Sequence, residues 1–125
     1  MMISAYTVLV ADDDAGHRES IEALLHRRGL ETRSADSGAG ALEIVRSFRL
    51  HAVVLDVHMP ELTGIETCRR MLTIVERLPC ILMTGDRSHG LRAEALEAGA
   101  ADLIEKPVDG HRLVTLLREL MSTRW

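Results

Sequence analysis

The feature that most restricts the fold of this sequence is a fivefold alternation of short apolar runs with longer helical patterns. The runs, of the length and texture of β-strands, occupy residues 7–11, 30–35, 51–55, 80–83 and 102–105. Each is followed by apolar residues at three- and four-residue spacing, which is typical of an amphipathic helix. Five such units predict a parallel sheet with helices packed on both faces.

The composition of the predicted strands also indicates their order. Residues 7–11, 51–55 and 80–83 are almost continuously apolar, as expected of strands that helices cover on both faces. Residues 30–35 alternate with polar side chains and 102–105 are polar at both ends, so both runs belong at edges. With right-handed crossovers, we predict an α/β fold with a doubly wound five-stranded parallel sheet in the order 2-1-3-4-5.

The composition excludes several function classes. The chain has 125 residues and a formal net charge of −4, so it lacks the basic surface that holds nucleic acid. One Tyr, one Phe and one Trp are too few for base stacking. The longest apolar runs fall far short of the roughly 18 residues that span a bilayer. We expect a cytoplasmic protein that binds neither nucleic acid nor membranes.

A few residues are expected to have only local structural roles. The residues at positions typical of N-caps are Asp14, Ser37, Ser88 and Asp109. Gly29 and Gly99 stand where helices end. His17 is expected to be solvated or to cap a helix. Cys68 and Cys80 lack metal-ligand spacing, so we expect reduced thiols packed in the core.

Polar residues stand at the carboxyl ends of four predicted strands. They are Asp12 and Asp13 after the first strand, Asp56 after the third, Thr84 after the fourth and Lys106 after the fifth. Adjacent strands lie within about 5 Å of one another, so these side chains must converge at one edge of the sheet. In doubly wound sheets that edge binds ligands where the strand order reverses.

The residue types at this edge favour a cation and a tetrahedral anion. Three carboxylates repel one another unless a cation lies among them, and oxygen ligands alone favour Mg²⁺. Lys106 would neutralise a tetrahedral anion, and Thr84 would donate a hydrogen bond to it. The carboxylate between the cation and these two groups could attack phosphorus in line. That carboxylate is Asp56.

Four segments of the sequence together resemble the receiver domain of two-component response regulators. They are VLVADDD at 8–14, VVLDVHMPELTG at 53–64, ILMTG at 81–85 and AGAADLIEKP at 98–107. The resemblance extends over roughly residues 7–121, and we assign residues 5–125 to one receiver domain. It implies the flavodoxin-like (βα)5 receiver fold.

By this resemblance Asp56 accepts a phosphoryl group from a sensor histidine kinase, a phosphotransfer protein or a small phosphodonor. Asp13 and Asp56 would bind Mg²⁺ directly, with Mn²⁺ as a possible substitute. Asp12 would act mainly through water, and the backbone carbonyl of His58 would supply another oxygen. The resemblance implies a self-phosphorylating signalling domain with slow autodephosphorylation, and not a turnover enzyme.

The resemblance assigns further roles around the acceptor. Thr84 and Lys106 would contact the phosphoryl oxygens, and Gly85 would leave room for the phosphoryl group. The peptide bond between Lys106 and Pro107 is expected to be cis. The residues expected to lie over the mouth of the site and to tune the lifetime of the phosphoryl group are His58 and Asp86.

One residue departs from the family pattern. Leu103 stands where the family usually carries Tyr or Phe, whose ring moves inward on activation. Leu103 holds no ligand, so we expect the phosphorylation chemistry to be retained. We expect the signal to pass through Thr84 and the loop 85–90 to the helix over 91–98.

The resemblance also implies partner surfaces. The first helix, with His17, Arg18 and Ile21, is the expected docking side for the phosphodonor. The face formed by the fourth helix, the fifth strand and the fifth helix is the expected surface for a partner or a homodimer. The chain either works alone or is the N-terminal part of a longer regulator.

There are three alternatives to a phosphorylatable receiver. An aspartyl-phosphate phosphatase of the haloacid dehalogenase type would use Asp12 and Asp14, but it leaves Asp56 without a role. A flavodoxin-like cofactor binder would need a Ser/Thr/Gly-rich phosphate loop and flanking aromatic residues. A degenerate receiver would bind partners without phosphate, although the set of Asp, Thr and Lys is complete.

Overall fold

The computed structural model describes residues 5–122, in which strands and helices alternate strictly along the chain. The predicted end of the domain, residues 123–125, lies outside the described residues. The elements are β1 (Thr7–Ala11), α1 (Ala15–Arg27), β2 (Glu31–Ala35), α2 (Gly38–Ser47), β3 (Ala52–Asp56), α3 (Gly64–Ile74), β4 (Cys80–Thr84), α4 (Leu91–Glu97), β5 (Asp102–Glu105) and α5 (Gly110–Ser122).

All strand pairs in the sheet are parallel, and their order is β2-β1-β3-β4-β5. The predicted fold class and strand order are therefore confirmed. Two strand ends differ from the prediction, because Asp56 and Thr84 are the last residues of β3 and β4 and do not follow them. The register pairs Asp56 with Met83, so the ladder continues up to the acidic residue.

Alternate residues of the central strands point to two separate apolar layers. Val8 and Val10 of β1 pack with residues of α1 and α5, whereas Leu9 packs with residues of α2 and α3. Cys68 and Cys80 are buried in the layer that contains Leu9, as predicted, and both are free thiols. Because helices cover both faces of the central strands, the polar residues of these strands occur only at strand ends. The site lies at the carboxyl ends.

Side-chain caps at the helix starts agree with most of the predictions. Asp14, Ser37 and Asp109 each accept the backbone N–H three residues later, at 3.0–3.1 Å. The predicted cap at Ser88 is wrong. Helix α4 begins after Gly90, which adopts φ +89° without a side-chain cap, and the Ser88 hydroxyl instead donates to Asp86 at 2.5 Å.

Backbone conformations at positive φ confirm two predicted helix ends and add one strained position. Gly29 and Gly99, at φ +80° and +102°, follow α1 and α4. Glu61 also has positive φ, at +67°, in the loop between β3 and α3. A side chain with a Cβ is strained there. No helix formed within residues 5–122 is both long and apolar enough to cross a bilayer.

Candidate functional site

Three carboxylates meet where β1 and β3 lie side by side. Ala11 of β1 pairs with Leu55 of β3. Asp12 and Asp56 are the residues that follow this pair, so they lie beside each other. One carboxylate oxygen from each of Asp12, Asp13 and Asp56 lies within 4.8 Å of the others. Asp12 is fully buried, Asp56 is 5% exposed and Asp13 is exposed. The structure thus brings together the three predicted carboxylates, with one of them open to water.

Lys106 reaches this cluster from the end of β5. Its backbone N–H donates to the carbonyl of Thr84 at 2.8 Å, which extends the pairing of β4 and β5. Its Nζ lies 3.0 Å from Oδ1 of Asp56 and 3.6 Å from Oδ2 of Asp12. The Lys106–Pro107 peptide bond is cis. One ammonium group therefore faces two of the three carboxylates.

Burial and neighbouring charges act in opposite directions on Asp56. Burial is the largest influence and raises the pKa of Asp56, and the charges of Asp12 and Asp13 raise it further. The hydrogen bond and charge of Lys106 lower the pKa but do not cancel that rise. A divalent cation among the carboxylates would relieve the remaining repulsion. A donor set made only of carboxylate oxygens fits Mg²⁺, and the exposed Asp13 leaves a side open to ligand water.

The Asp12 carboxylate is held on both oxygens. Oδ1 accepts the backbone N–H of Asp14 at 3.0 Å, and Nδ1 of His17 lies 2.5 Å from Oδ2. The guanidinium of Arg18 donates to the Asp12 carbonyl at 2.6 Å. The expectation that His17 is solvated or caps a helix is therefore wrong. Its side chain is 23% exposed and belongs to the surroundings of the acidic cluster.

Asp14, by contrast, does not belong to the cluster. Its carboxylate accepts the backbone N–H of His17 at 3.1 Å and so caps α1. The phosphatase alternative requires Asp14 as the second acid of the reaction. An oxygen committed to a helix N-terminus is a poor candidate for that role, so this geometry does not favour the alternative.

Thr84 and Gly85 form the start of the loop after β4. Thr84 is buried, and its hydroxyl accepts the N–H of Asp86 at 2.9 Å while lying 3.4 Å from the Asp86 carbonyl. The hydroxyl thus points to its own loop. A Cβ on Gly85 would meet nothing within 4 Å, so open space adjoins this position.

His58 and Asp86 meet across the loops that follow β3 and β4. Nε2 of His58 lies 3.4 Å from Oδ2 of Asp86, and the His58 side chain is exposed whereas that of Asp86 is half-buried. The hydrogen bonds that Ser88 donates to Asp86 are the main cause of a lowered pKa of Asp86, and His58 adds to it. The pairing of Ser88 with Asp86 was not predicted, although Asp and Ser two residues apart commonly form such local bonds.

Gly64 makes β3 and α3 approach closely. A Cβ at this position would lie 2.1 Å from the backbone oxygen of Asp56, which no structure tolerates. The glycine N–H also donates to the carbonyl of Val57 at 2.8 Å. A glycine between a loop and a helix is expected to relieve a tight turn through its conformational freedom. The structure shows a different reason, because the φ of Gly64 is not positive and the contact alone requires glycine.

Leu103 and Arg92 join α4 to β5. Leu103 is buried among apolar residues that include Leu91 and Ala95 of α4. Arg92 donates to the carbonyl of Leu103 at 3.1 Å and to the carboxylate of Asp102 at 2.7 Å. The role of Arg92 was missed, because an arginine on a helix surface carries no sequence signal for its partner.

Comparison with known proteins agrees with this arrangement. The family model for the response regulator receiver domain matches residues 8–118. Response regulator MprA of Mycolicibacterium vanbaalenii is 39% identical over 114 residues, which cover 91% of this chain and 49% of that protein. MprA of Mycobacterium ulcerans is also 39% identical over 114 residues, or 49% of its length. The chain thus spans about half the length of these curated relatives.

Solved structures show the same architecture. The receiver domain of the Francisella response regulator 1452 superposes with a TM-score of 0.90 at 27% identity, covering 96% of this chain and 99% of that one. A putative response regulator from Chloroflexus aurantiacus has a TM-score of 0.90 at 29% identity, covering 95% and 99%. Since the match spans the sheet, its helices and the strand ends that carry the acidic cluster, the chain belongs to the response regulator receiver domain family.

Proposed function

We propose that residues 5–125 act as one receiver domain that accepts a phosphoryl group on Asp56. The observation that carries this proposal is the contact between Asp56 and Lys106. A buried carboxylate lies 3.0 Å from an ammonium group, beside two further acids, at the carboxyl edge of a parallel sheet. The donor would be the phosphohistidine of a sensor kinase or phosphotransfer protein, or a small phosphodonor. We place the protein in the cytoplasm on the family resemblance.

The proposed reaction is an in-line displacement at phosphorus. An oxygen of Asp56 forms a bond to phosphorus while the phosphorus–nitrogen bond of the donor breaks. The electron pair of the broken bond stays on the imidazole nitrogen, which takes up a proton, and the product is an acyl phosphate on Asp56. Lys106 is near enough to Asp56 to exchange its carboxylate contact for a phosphoryl oxygen. Thr84 would contact another oxygen after its hydroxyl leaves the Asp86 backbone.

Mg²⁺, or Mn²⁺ in its place, would be held by Asp13 and Asp56 directly and by the backbone carbonyl of His58. When bound, the ion supplies positive charge that neutralises the phosphoryl oxygens. Asp12 would act through water. Its two oxygens already accept the Asp14 N–H and contact His17 and Lys106, which leaves little room for direct coordination.

Residues over the mouth would set how long the acyl phosphate lasts. His58 and Asp86 lie 3.4 Å apart across the loops that follow β3 and β4. In our proposal they limit the approach of water to Asp56. Gly85 leaves open space in which a phosphoryl group can lie. The chain would therefore phosphorylate itself once and lose the group slowly, and would not turn over a substrate.

The signal would pass from the loop after β4 to the face formed by α4, β5 and α5. Thr84 begins that loop, and Leu103 together with Arg92 fixes α4 against β5. This face would bind an output partner or a second copy of the chain. The phosphodonor would dock along α1 near Arg18. Ile21, expected on that docking side, is instead buried in the apolar layer beneath the helix.

The deciding experiment maps the modified residue. The chain is incubated with an acyl phosphate donor and Mg²⁺, and intact mass and hydroxylamine sensitivity are measured. We expect one phosphoryl group per chain, lost with Asp56→Asn and retained with the control Asp36→Asn, an exposed acid outside the cluster. No labelling of the parent would indicate a degenerate receiver. Multiple-turnover hydrolysis of a generic phosphate ester would indicate a phosphatase.

A further inference from the structure

A histidine lies against the acidic cluster without being one of its members. Nδ1 of His17 lies 2.5 Å from Oδ2 of Asp12. The group of ligand atoms that lie within 4.8 Å of one another contains only the carboxylate oxygens of Asp12, Asp13 and Asp56, and not this nitrogen. A carboxylate can only accept a hydrogen bond, so Nδ1 carries the proton and donates it to Asp12. His17 thus touches the cluster through Asp12 alone.

The start of α1 explains how this contact arises. Asp14 is the N-cap, so His17 is the third residue of the helix, the position whose side chain reaches back toward the cap in a capping box. Usually a Glu or Gln there accepts the N–H of the cap residue. Here Oδ1 of Asp12 accepts the Asp14 N–H instead, and the imidazole of His17 donates to Oδ2 of Asp12.

These contacts restrict how the Asp12 carboxylate can turn. One oxygen is tied to the backbone at 3.0 Å, and the other lies between His17 at 2.5 Å and Lys106 at 3.6 Å. Of these groups, Lys106 also serves Asp56 and would be drawn toward a phosphoryl group. His17 is then the side chain that keeps Asp12 in place when Lys106 moves.

We propose that His17 is a positioning residue for the divalent cation, which it affects by fixing Asp12 and not by ligation. The inference rests on the proposed function, since it concerns the same ion. Removing a hydrogen-bond partner of a directly bound ligand commonly changes metal affinity by about 10- to 100-fold. Because Asp12 would act through water, the loss of His17 should change the affinity by less than that. His17 is only 23% exposed and lines a groove with Ile21 and Leu24, so a leucine fits at this position.

The test measures the dissociation constant of Mn²⁺ from the electron paramagnetic resonance signal of the free ion. His17→Leu removes the donor and should weaken binding several-fold, less than the roughly tenfold loss expected behind a direct ligand. His17→Asn carries an amide N–H at the same distance along the side chain and should restore most of the affinity. His111→Leu, the same exchange in the exposed first turn of α5, should leave the affinity unchanged.

Two further measurements separate positioning from a purely structural role and from direct ligation. Circular dichroism should show that the His17→Leu variant is folded at the temperature of the binding assay. Weaker Mn²⁺ binding by a folded variant then cannot result from unfolding. The spin-echo modulation of bound Mn²⁺ should show no directly coordinated nitrogen. Equal or tighter Mn²⁺ binding by His17→Leu, or a directly bound nitrogen in the parent, overturns the inference.

The variant Asp13→Asn distinguishes this inference from the proposed function. If Asp13→Asn weakens Mn²⁺ binding and His17→Leu does not, only the role of His17 is wrong. If the parent does not bind Mn²⁺, or Asp13→Asn leaves binding unchanged, the cation does not lie among the three carboxylates. The proposed function then fails together with the inference.

Discussion

Nζ of Lys106 lies 3.0 Å from Oδ1 of Asp56, although the strands that lead to these residues, β5 and β3, are separated by β4. The lysine therefore reaches past the end of a whole strand to contact the acid. The buried carboxylate depends on this one ammonium group and on any bound cation, because Asp12 and Asp13 both oppose its charge.

The first prediction concerns stability against pH. Burial raises the pKa of Asp56 in the folded chain above its ordinary value of 3.8. Between these two pKa values the folded chain holds a proton that the unfolded chain has released, so the contribution of Asp56 to stability falls as pH rises. We expect Asp56→Asn to raise the free energy of unfolding at pH 7 in the presence of a chelator.

This gain should shrink as the pH falls to the ordinary pKa of the carboxyl, because Asp56 is then protonated in both states. Urea unfolding at several pH values measures the effect, with Asp36→Asn as the control. A gain that stays constant or grows toward acid pH would contradict the raised pKa.

The second prediction concerns the close approach at Gly64. A Cβ 2.1 Å from the Asp56 carbonyl oxygen forces the backbone of β3 or α3 to shift. Gly64→Ala should lower the free energy of unfolding by about 2–3 kcal/mol. Gly16→Ala is the control, because its Cβ would meet Asp14 at an ordinary 3.4 Å within a helix. Equal stabilities of the two variants in urea would show that the contact is readily relieved.

The third prediction concerns the strained backbone at Glu61. Its φ of +67° is costly for any residue with a Cβ, and glycine removes that cost. Glu61→Gly should raise the free energy of unfolding by up to about 1 kcal/mol, since the added freedom of the unfolded chain offsets part of the gain. Glu61→Ala keeps the Cβ and should show no such gain. A Gly variant less stable than the Ala variant would rule out strain at this position.

The fourth prediction concerns the pair of His58 and Asp86, which we propose lies over the mouth of the site. His58→Ala removes the partner of Asp86 and opens the approach of water to Asp56. We expect the acyl phosphate to decay several-fold faster, measured as the half-life of label on the isolated phosphorylated chain. His89→Ala, at an exposed histidine in the loop before α4, is the matched control. An unchanged half-life for the His58 variant would exclude a role in lifetime.

The fifth prediction concerns the attachment of α4 to β5. Arg92→Ala removes donors to the Leu103 carbonyl and to Asp102. Because the Arg92 side chain is itself 59% exposed, although its acceptors are partly buried, the free energy of unfolding should fall by only about 1 kcal/mol. Amide hydrogen exchange in α4 should nevertheless become faster. Arg87→Ala breaks only an exposed pair with Glu105 and should leave exchange in α4 as it was.

Much of the site was predictable because it follows from topology. The apolar runs around Val54 and Leu82 and the polar texture around Arg33 indicate which strands are central and which lie at an edge. Once strand order is known, Asp12 and Asp56 must lie side by side, since parallel strands end at one edge of the sheet. No side-chain detail is needed for that conclusion.

The contacts that were missed depend on the direction and reach of individual side chains. His17 and Arg92 are surface-type residues in a sequence, and nothing in their spacing tells which oxygen each will contact. From the sequence, a glycine at position 64 indicates a tight turn. The structure shows that glycine is needed because position 64 lies close to the Asp56 carbonyl, and this closeness results from how α3 packs after β3.

The sequence by itself determined the strand order, the faces of the two apolar layers and the edge at which the acids gather, because these follow from periodicity and from the rules of parallel sheets. Only the tertiary structure shows that the Lys106 ammonium contacts the Asp56 carboxylate and that His17 donates to Asp12. It alone also shows that Arg92 joins α4 to β5. Such contacts form or fail over about an ångström, a distance set by the packing of the whole fold and not by any local pattern of residues.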